Sequence, residues 1–157
     1  MGPIDRGGKT HIHIIEGEFL VVDAPDIVLT TILGSCIAAC LHDPVARIGG
    51  MNHFLLPGEA EQFHADDMDR SGLRLMESLI GELLARGAQR SRLVCKLFGG
   101  AYMHKGLPDI GAKNTSFAKR FLEKERICIV AGDVGGMDAR RVEYHPSTGA
   151  ARKLIVR

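Results

Sequence analysis

A cysteine at the start of a predicted strand is the residue in this sequence best suited to nucleophilic chemistry. Cys36 follows Gly34 and Ser35 at the end of the run 30–36. Glycine permits backbone dihedral angles that other residues rarely adopt. A turn there would expose the thiol and direct neighbouring backbone N–H groups at one point, as an oxyanion requires. The run alone does not separate a reactive thiol from a buried one.

A histidine joins this cysteine if two predicted strands, 36–42 and 47–55, form a hairpin. The Asp43–Pro44 pair favours a type I turn between them. If residues 43–46 form the loop, Cys36 lies directly opposite His53, with Cβ atoms about 4.5–5.5 Å apart on one sheet face. A shift of the register by one residue would turn His53 to the other face. The pairing therefore depends on the register.

Such a pair would support thiol chemistry. A nearby imidazolium lowers the pKa of a thiol, and the same imidazole can then move protons. A third group usually orients the ring, and the hydroxyl of either Thr30 or Thr31 on the preceding strand is available. The alternative is that Cys36 is a small buried hydrophobic residue and His53 a hydrogen-bonded core residue, which is the commoner state of these residue types.

The other metal- or thiol-bearing residues are interpreted as structural. Cys40 shares a strand face with the candidate nucleophile but lies about 13 Å along it, too far for a disulfide. Cys95 and Cys128 lie in apolar strand runs, where a free thiol is usually packing. His11 and His13 share a face but have no third ligand nearby, so we expect exposed edge residues and no metal site.

Length and composition predict one globular domain. The chain has 157 residues, of which 45% are hydrophobic and 25% charged. A formal charge of +1 excludes a global field that attracts nucleic acid or anionic lipid. Without a signal-peptide pattern or an apolar run of about 18 residues, we expect a cytoplasmic protein. We predict a mobile N-terminal tail over residues 1–10 and a single domain over 11–157.

The elements that must position these residues follow from hydrophobic periodicity. Apolar residues at three- and four-residue spacing predict a helix that begins near Leu73 and ends at Gly87, and a second over 111–125. Apolar runs predict further strands, namely 18–22, 28–33, 93–98, 127–131, 141–145 and 151–156. Helices among hairpin-like strands favour a mixed α/β sandwich. The polar segment 58–67 is predicted to be a mobile flap.

Several blocks of the sequence resemble a known family, the chemoreceptor glutamine deamidases (CheD). The blocks keep their order over about residues 15–156 and comprise 30–36, 48–57, 96–101, 110–114, 132–136 and 140–149. The resemblance implies a nucleophile at Cys36, a catalytic histidine at His53 and a catalytic threonine at Thr30. It thereby chooses Thr30 over Thr31.

The resemblance also implies an activity. Members of this family convert glutamine side chains of methyl-accepting chemoreceptors to glutamate, and we expect a cysteine thioester intermediate, release of ammonia and no cofactor. The expected partners are the cytoplasmic helices of these receptors, in bacterial chemotaxis adaptation. The fold implied is a single-domain α/β sandwich resembling the catalytic domain of bacterial cytotoxic necrotizing factors.

Further residues of the family blocks are candidates for substrate or oxyanion contacts: Gly34, Ser35, Asn52, Lys113 and Asn114. Lys113 departs from the family pattern, in which arginine is expected before the asparagine. Lysine retains the charge but loses any bidentate contact that arginine would make. A contact of Lys113 with substrate is therefore the least supported member of this set.

Two other functions stay open. A transglutaminase would form the same thioester and transfer it to an amine, so water access to the acyl-enzyme decides between the two reactions. A non-catalytic adaptor would bind receptors or a chemotaxis phosphatase. The basic C-terminal hairpin could supply that contact, although a solvated face is the commoner meaning of such residues, which are Arg140, Arg141, Arg152, Lys153 and Arg157.

Overall fold

A computed structural model describes residues 2–56 and 72–157 of the chain. Two α-helices lie in this part, α1 (Gly72–Ala85) and α2 (Ile110–Lys124). The strands are β1 (Thr10–His13), β2 (Phe19–Val22), β3 (Ile27–Leu33), β4 (Ile37–Asp43), β5 (Ile48–Asn52), β6 (Val94–Gly99), β7 (Cys128–Val134), β8 (Ala139–His145) and β9 (Ala150–Val156). The predicted flap at 58–67 lies outside the described residues.

Two sheets and a helical layer make up the fold. The four-stranded sheet has the order β1-β3-β8-β9 and the five-stranded sheet the order β2-β5-β4-β6-β7. One apolar cluster fills the space between the sheets, consisting of Ile14, Leu29, Leu33, Ala38, Cys40, Met51, Phe98, Val142 and Tyr144. The opposite face of the five-stranded sheet packs against α1 and α2, with Ile37, Ala39 and Leu41 pointing that way. The mixed α/β fold predicted from the sequence is confirmed.

The helices follow the predicted periodicity. Leu75, Met76, Leu79, Ile80 and Leu83 of α1 are buried, which places its apolar face on the sheet. Helix α2 begins at a capped end, because the Asp109 side chain accepts a hydrogen bond from the backbone N–H of Ala112 at 3.0 Å. Gly87, with φ of 109°, ends the first helical segment. None of the helices in residues 2–56 and 72–157 is long and apolar enough to cross a membrane.

The β4–β5 hairpin forms, but its register differs from the prediction by two residues. Asp43 pairs with Ile48, so the loop comprises residues 44–47 and Cys36 does not lie directly opposite His53. The cause is Asp43, whose Oδ1 accepts hydrogen bonds from the backbone N–H groups of the next residues, Val45 at 2.9 Å and Ala46 at 3.1 Å. Because strand side chains alternate with a period of two, a two-residue shift leaves every residue on its predicted face.

The N-terminal residues contact the domain. Pro3 accepts a hydrogen bond through its carbonyl from the His11 N–H at 2.8 Å, and the Asp5 carboxylate lies 2.8 Å from His11 Nε2. Ile4 forms a bridge with Thr10. The mobility of residues 1–10 stays a prediction, and the structure places residues 3–5 along the end of β1.

Two side chains lie differently from the prediction. Cys128 is exposed, because β7 is the edge of the five-stranded sheet, so its assignment to packing is wrong. Arg140 is buried, with 2% of its surface exposed, so it does not belong to a solvated basic face. Its guanidinium instead forms an ion pair with Asp133 at 3.1 Å and donates to the carbonyls of Asp133 and Gly135. Arg141, Arg152, Lys153 and Arg157 are exposed as expected.

Candidate active site

The loop that carries Cys36 connects the two sheets, running from the end of β3 to the start of β4. Each of its three residues is held through its backbone carbonyl. The Ala101 N–H donates to Gly34 at 3.0 Å, and the Gly100 N–H donates to Cys36 at 2.8 Å. The Asn114 side-chain amide donates to the Ser35 carbonyl at 2.8 Å. These bonds fix the backbone of the loop, while the Cys36 side chain remains only half-buried.

Glycine is required opposite this loop, at the end of β6. Gly99 and Gly100 have φ values of 109° and 70°. A Cβ on Gly99 would lie 2.0 Å from the Cys36 carbonyl oxygen. Gly34 is different, since it does not have a positive φ and a Cβ there would meet the flexible Met103 side chain at 3.3 Å. The special backbone conformation expected at Gly34 is therefore found across the loop instead.

His53 follows β5, and its ring points into the space between the sheets. Its Nδ1 lies 2.8 Å from Thr31 Oγ1 and 3.3 Å from the Ile14 carbonyl oxygen. The Thr31 hydroxyl donates its one hydrogen to Ile14 O at 2.6 Å, so it must accept from Nδ1–H. The proton therefore sits on Nδ1, which leaves Nε2 as the basic nitrogen. Burial is the main cause that lowers the pKa of His53, so the ring is neutral at pH 7.

The two threonines that the sequence offered have different neighbours. Thr31 is fully buried and meets His53, whereas the Thr30 hydroxyl lies 3.3 Å from His13 Nδ1. Successive residues of β3 point to opposite faces of the sheet, so both hydroxyls cannot reach the same ring. The catalytic role of Thr30 stays a prediction from the resemblance, and the structure places the Thr31 hydroxyl against the imidazole.

Cys36 and His53 point to the same side of the five-stranded sheet, as the hairpin argument predicted. Cys36 packs against the cluster between the sheets, in line with Ala38 and Cys40. His53 is two residues beyond Met51, which belongs to the same cluster, and its ring reaches β3 of the other sheet. The shared face survives the register difference because that difference is an even number of residues.

A carboxylate that the sequence did not single out contacts the thiol. Cys36 Sγ donates to Glu16 Oε1 at 3.5 Å, and Glu16 is exposed on the turn between β1 and β2. Burial and, second, the charge and hydrogen bond of Glu16 raise the pKa of Cys36 to about 12. The resting thiol is therefore protonated. Glu16 reaches the Cys36 thiol because β2 pairs with β5, so no local sequence pattern predicts this contact.

The two asparagine candidates have different hydrogen-bond partners. Asn114 is fully buried, and besides its bond to Ser35 it accepts from the Leu56 N–H at 3.1 Å. It thus ties the Cys36 loop to the chain after β5. Asn52 points toward the helices, where its Oδ1 accepts from the Ala39 N–H at 2.9 Å and its amide lies 3.1 Å from Met76 Sδ. The structure therefore brings Asn114 to the Cys36 loop and leaves Asn52 on the opposite face.

The remaining candidates lie near the thiol or at the surface. Ser35 is half-buried, and Lys113 is exposed in the first turn of α2. In the part of the chain that the structure describes, the backbone N–H groups of Ser35 and Cys36 donate no hydrogen bond to a protein acceptor. No group of three or more histidine, cysteine or acidic side chains suited to a metal occurs among these described residues.

A half-buried thiol on the same sheet face as an oriented, neutral imidazole is an arrangement suited to acyl transfer through a cysteine. Comparison with known proteins specifies the family. The sequence pattern of the family described as CheD chemotactic sensory transduction matches residues 55–153. This chain belongs to the CheD family.

Curated relatives match nearly the whole chain. The probable chemoreceptor glutamine deamidase CheD of Caulobacter sp. (strain K31) is 49% identical over 152 residues, covering 97% of this chain and 81% of the relative. A protein of the same name from Sinorhizobium medicae (strain WSM419) is 53% identical over 153 residues, covering 97% of this chain and 83% of the relative.

Proposed function

We propose that this protein deamidates specific glutamine side chains of chemoreceptors to glutamate, in chemotaxis adaptation. The activity is the one that the names of its relatives state, and those relatives are about half identical over nearly all of the chain. The observation that carries the proposal is the oriented imidazole of His53 on the sheet face of the Cys36 thiol. The substrate is the cytoplasmic helical part of the receptor, so the protein acts in the cytoplasm. The fold is proposed to resemble the necrotizing factor catalytic domain.

Acylation begins from a neutral pair. The Cys36 thiol gives its proton to His53 Nε2 as Sγ attacks the carbon of the glutamine carboxamide. The oxyanion accepts from the backbone N–H groups of Ser35 and Cys36, which have no acceptor among the described residues. The C–N bond then breaks, and the imidazolium returns the proton to the leaving nitrogen. Ammonia departs and a thioester remains.

In deacylation the same imidazole first takes a proton from water and then returns it to the sulfur. His53 Nε2 takes a proton from water, the resulting hydroxide attacks the thioester, and the C–S bond breaks. The proton returns to the Cys36 sulfur and the side chain leaves as glutamate. Thr31 and the Ile14 carbonyl hold Nδ1–H in both halves, so they act as positioning groups. One amide and one water give one carboxylic acid and one ammonia, so the balance requires no cofactor.

Mass spectrometry of a receptor cytoplasmic fragment tests the activity. With intact protein, we expect discrete glutamines to become glutamates with an equal amount of ammonia. His53→Ala should slow this conversion at least about 100-fold, the usual contribution of a general base. Unchanged glutamines with intact, folded protein would contradict the proposal.

The same assay separates the alternative functions. Incorporation of an added primary amine at the converted glutamines would identify a transglutaminase. The adaptor function would be favoured by a different result, in which intact protein leaves the glutamines unchanged while a Cys36→Ala variant still pulls down a chemotaxis phosphatase. The exposed basic side chains of β8 and β9 are the surface proposed for that contact.

A further inference from the structure

The turn that carries Glu16 is fixed to the backbone of His53. The Gly17 N–H donates to the His53 carbonyl at 2.8 Å, and the His53 N–H donates to the Glu18 carbonyl at 3.1 Å. The Glu18 carboxylate closes the turn by accepting from the Ile15 N–H at 2.9 Å. These hydrogen bonds hold the turn that carries Glu16, and the two bonds to the His53 backbone fix the position of the turn relative to the imidazole.

The Glu16 carboxylate contacts the nucleophile and also faces solvent. One oxygen accepts the Cys36 S–H at 3.5 Å, while Glu16 as a whole is exposed to solvent. A negative charge beside a thiol disfavours the thiolate that must attack. Glu16 therefore opposes nucleophile formation in the empty site, and any benefit must come from what it does to the substrate side chain.

Glutamine and glutamate differ at the group that would meet this carboxylate. A carboxamide presents two N–H donors, whereas an ionised carboxylate presents only acceptors. A carboxylate of the protein therefore matches the substrate and opposes the product, because two like charges at contact distance repel.

We infer that Glu16 is the residue that distinguishes the side chain to be deamidated from the side chain produced. Its carboxylate accepts an N–H of the bound glutamine carboxamide and repels the glutamate carboxylate. This inference rests on the proposed function, since it names how that same site selects its substrate. No atom of Glu16 enters a covalent bond during the reaction.

The Cys36 S–H and the carboxamide N–H compete for the same acceptor on Glu16, and this exchange sets the order of the steps. In the empty site the S–H donates to Glu16, and when the carboxamide N–H takes that acceptor, the S–H is released toward His53 Nε2. After the thioester is hydrolysed, the new carboxylate faces Glu16 and leaves. Substrate binding thus frees the nucleophile, and product formation ends binding.

A pair of alkylating reagents tests this discrimination without a receptor. Iodoacetamide carries a carboxamide and iodoacetate its carboxylate counterpart, and the same thiolate attacks the CH2 carbon of either reagent and displaces iodide. We expect Glu16→Gln to lower the ratio of iodoacetamide to iodoacetate rates at Cys36 about fivefold, the size of one contact between unit charges in water. A change in thiolate fraction cancels in this ratio. Peptide mapping by mass spectrometry measures each rate at Cys36 separately.

The protein offers two controls. Cys128 is exposed on the distant edge strand β7, so its ratio should not change. Glu123→Gln, at an exposed position of α2, removes the same charge elsewhere. An unchanged ratio at Cys36 in Glu16→Gln, or an equal change in Glu123→Gln, would overturn the role of Glu16.

Product inhibition then tests the role on the receptor fragment. The fragment with glutamate at the converted position should inhibit Glu16→Gln about fivefold more strongly than the intact protein, by the same electrostatic reasoning. Equal inhibition would overturn the inference while leaving deamidation itself in place. If the intact protein converts no glutamine, the proposed function fails, and the alkylation ratio still decides whether Glu16 selects carboxamide over carboxylate.

Discussion

The two ends of the β4–β5 hairpin differ in how their ionisable side chains are stabilised. At the turn, Asp43 is fully buried and its carboxylate accepts from Val45, Ala46, Gln89 and the Arg92 guanidinium. These donors hold the pKa of Asp43 far below its usual range despite its burial. At the open end, the half-buried Cys36 thiol meets a carboxylate, which helps to raise its pKa.

The difference separates a structural polar group from a reactive one. A buried charge with every acceptor position used cannot change partners without large cost. Among residues 2–56 and 72–157 the thiol makes one weak hydrogen bond, to Glu16, and a neutral imidazole lies on the same sheet face, so the thiol can change partners when substrate arrives. Within one hairpin, the structural end has fully satisfied hydrogen bonds, and the end proposed to be reactive carries an incompletely satisfied group.

The largest expected effect is on stability at the turn. Asp43→Ala leaves Arg92 and the N–H groups of Val45, Ala46 and Gln89 without their acceptor, so the free energy of unfolding should fall by about 3–5 kcal/mol. Urea denaturation measures it. Asp23→Ala is the matched control, because the ion pair of Asp23 with Arg86 is exposed and 3.7 Å long. Its loss should lower the free energy of unfolding by less than about 1 kcal/mol. Equal losses in the two variants would show that the hydrogen bonds of Asp43 stabilise the protein no more than an exposed ion pair does.

A smaller effect is expected at the open end, and on activity. Thr31→Val removes the acceptor of His53 Nδ1–H, so kcat should fall about 10–100-fold, part of the usual contribution of a general base. Thr30→Val, which loses only a contact with His13, should change kcat less than about threefold. The reverse ranking would show that the family threonine acts as the resemblance predicts and that the Thr31 contact is structural.

The smallest expected effect is that the pH dependence of kcat/KM and the pH dependence of the free energy of unfolding respond to different residues. Because burial lowers the pKa of His53, its basic form persists below pH 6.5, and the acid limb of kcat/KM should have an apparent pKa below that value. The lowered pKa of Asp43 adds stability that is present above about pH 4 and lost as pH falls further. Asp43→Ala should therefore reduce the stability change below pH 4 and leave the kcat/KM limb unmoved, as pH titrations of unfolding and rate would report.

Sequence patterns predicted much of this arrangement because most of it is periodic. The apolar stripe of α1 predicted its buried face, and the two-residue period of paired strands predicted the shared face of Cys36 and His53. The choice between Thr30 and Thr31 was not available from the residues, since it depends on which face of β3 meets the second sheet. The resemblance chose one hydroxyl, and the contact in the structure belongs to the other.

What escaped prediction depends on contacts distant in sequence. Glu16 reaches Cys36 only because β2 pairs with β5, and Cys128 is exposed only because β7 is an edge strand. The hairpin register was missed because Asp43 bonds ahead to Val45 and Ala46, which moves the loop by one residue. Side-chain capping of this kind competes with turn patterns and is not visible in hydrophobic periodicity.

We propose that a single cysteine of the four in the chain, Cys36, forms the bond to substrate. The direct measurement compares Cys36→Ala with Cys128→Ala on a receptor cytoplasmic fragment, after circular dichroism has shown both variants to be folded. We predict that Cys36→Ala loses deamidation by at least about 1,000-fold, as expected when a nucleophile is removed, while Cys128→Ala retains it. Conversion of the same glutamines by Cys36→Ala at the rate of intact protein would show that Cys36 is not the nucleophile.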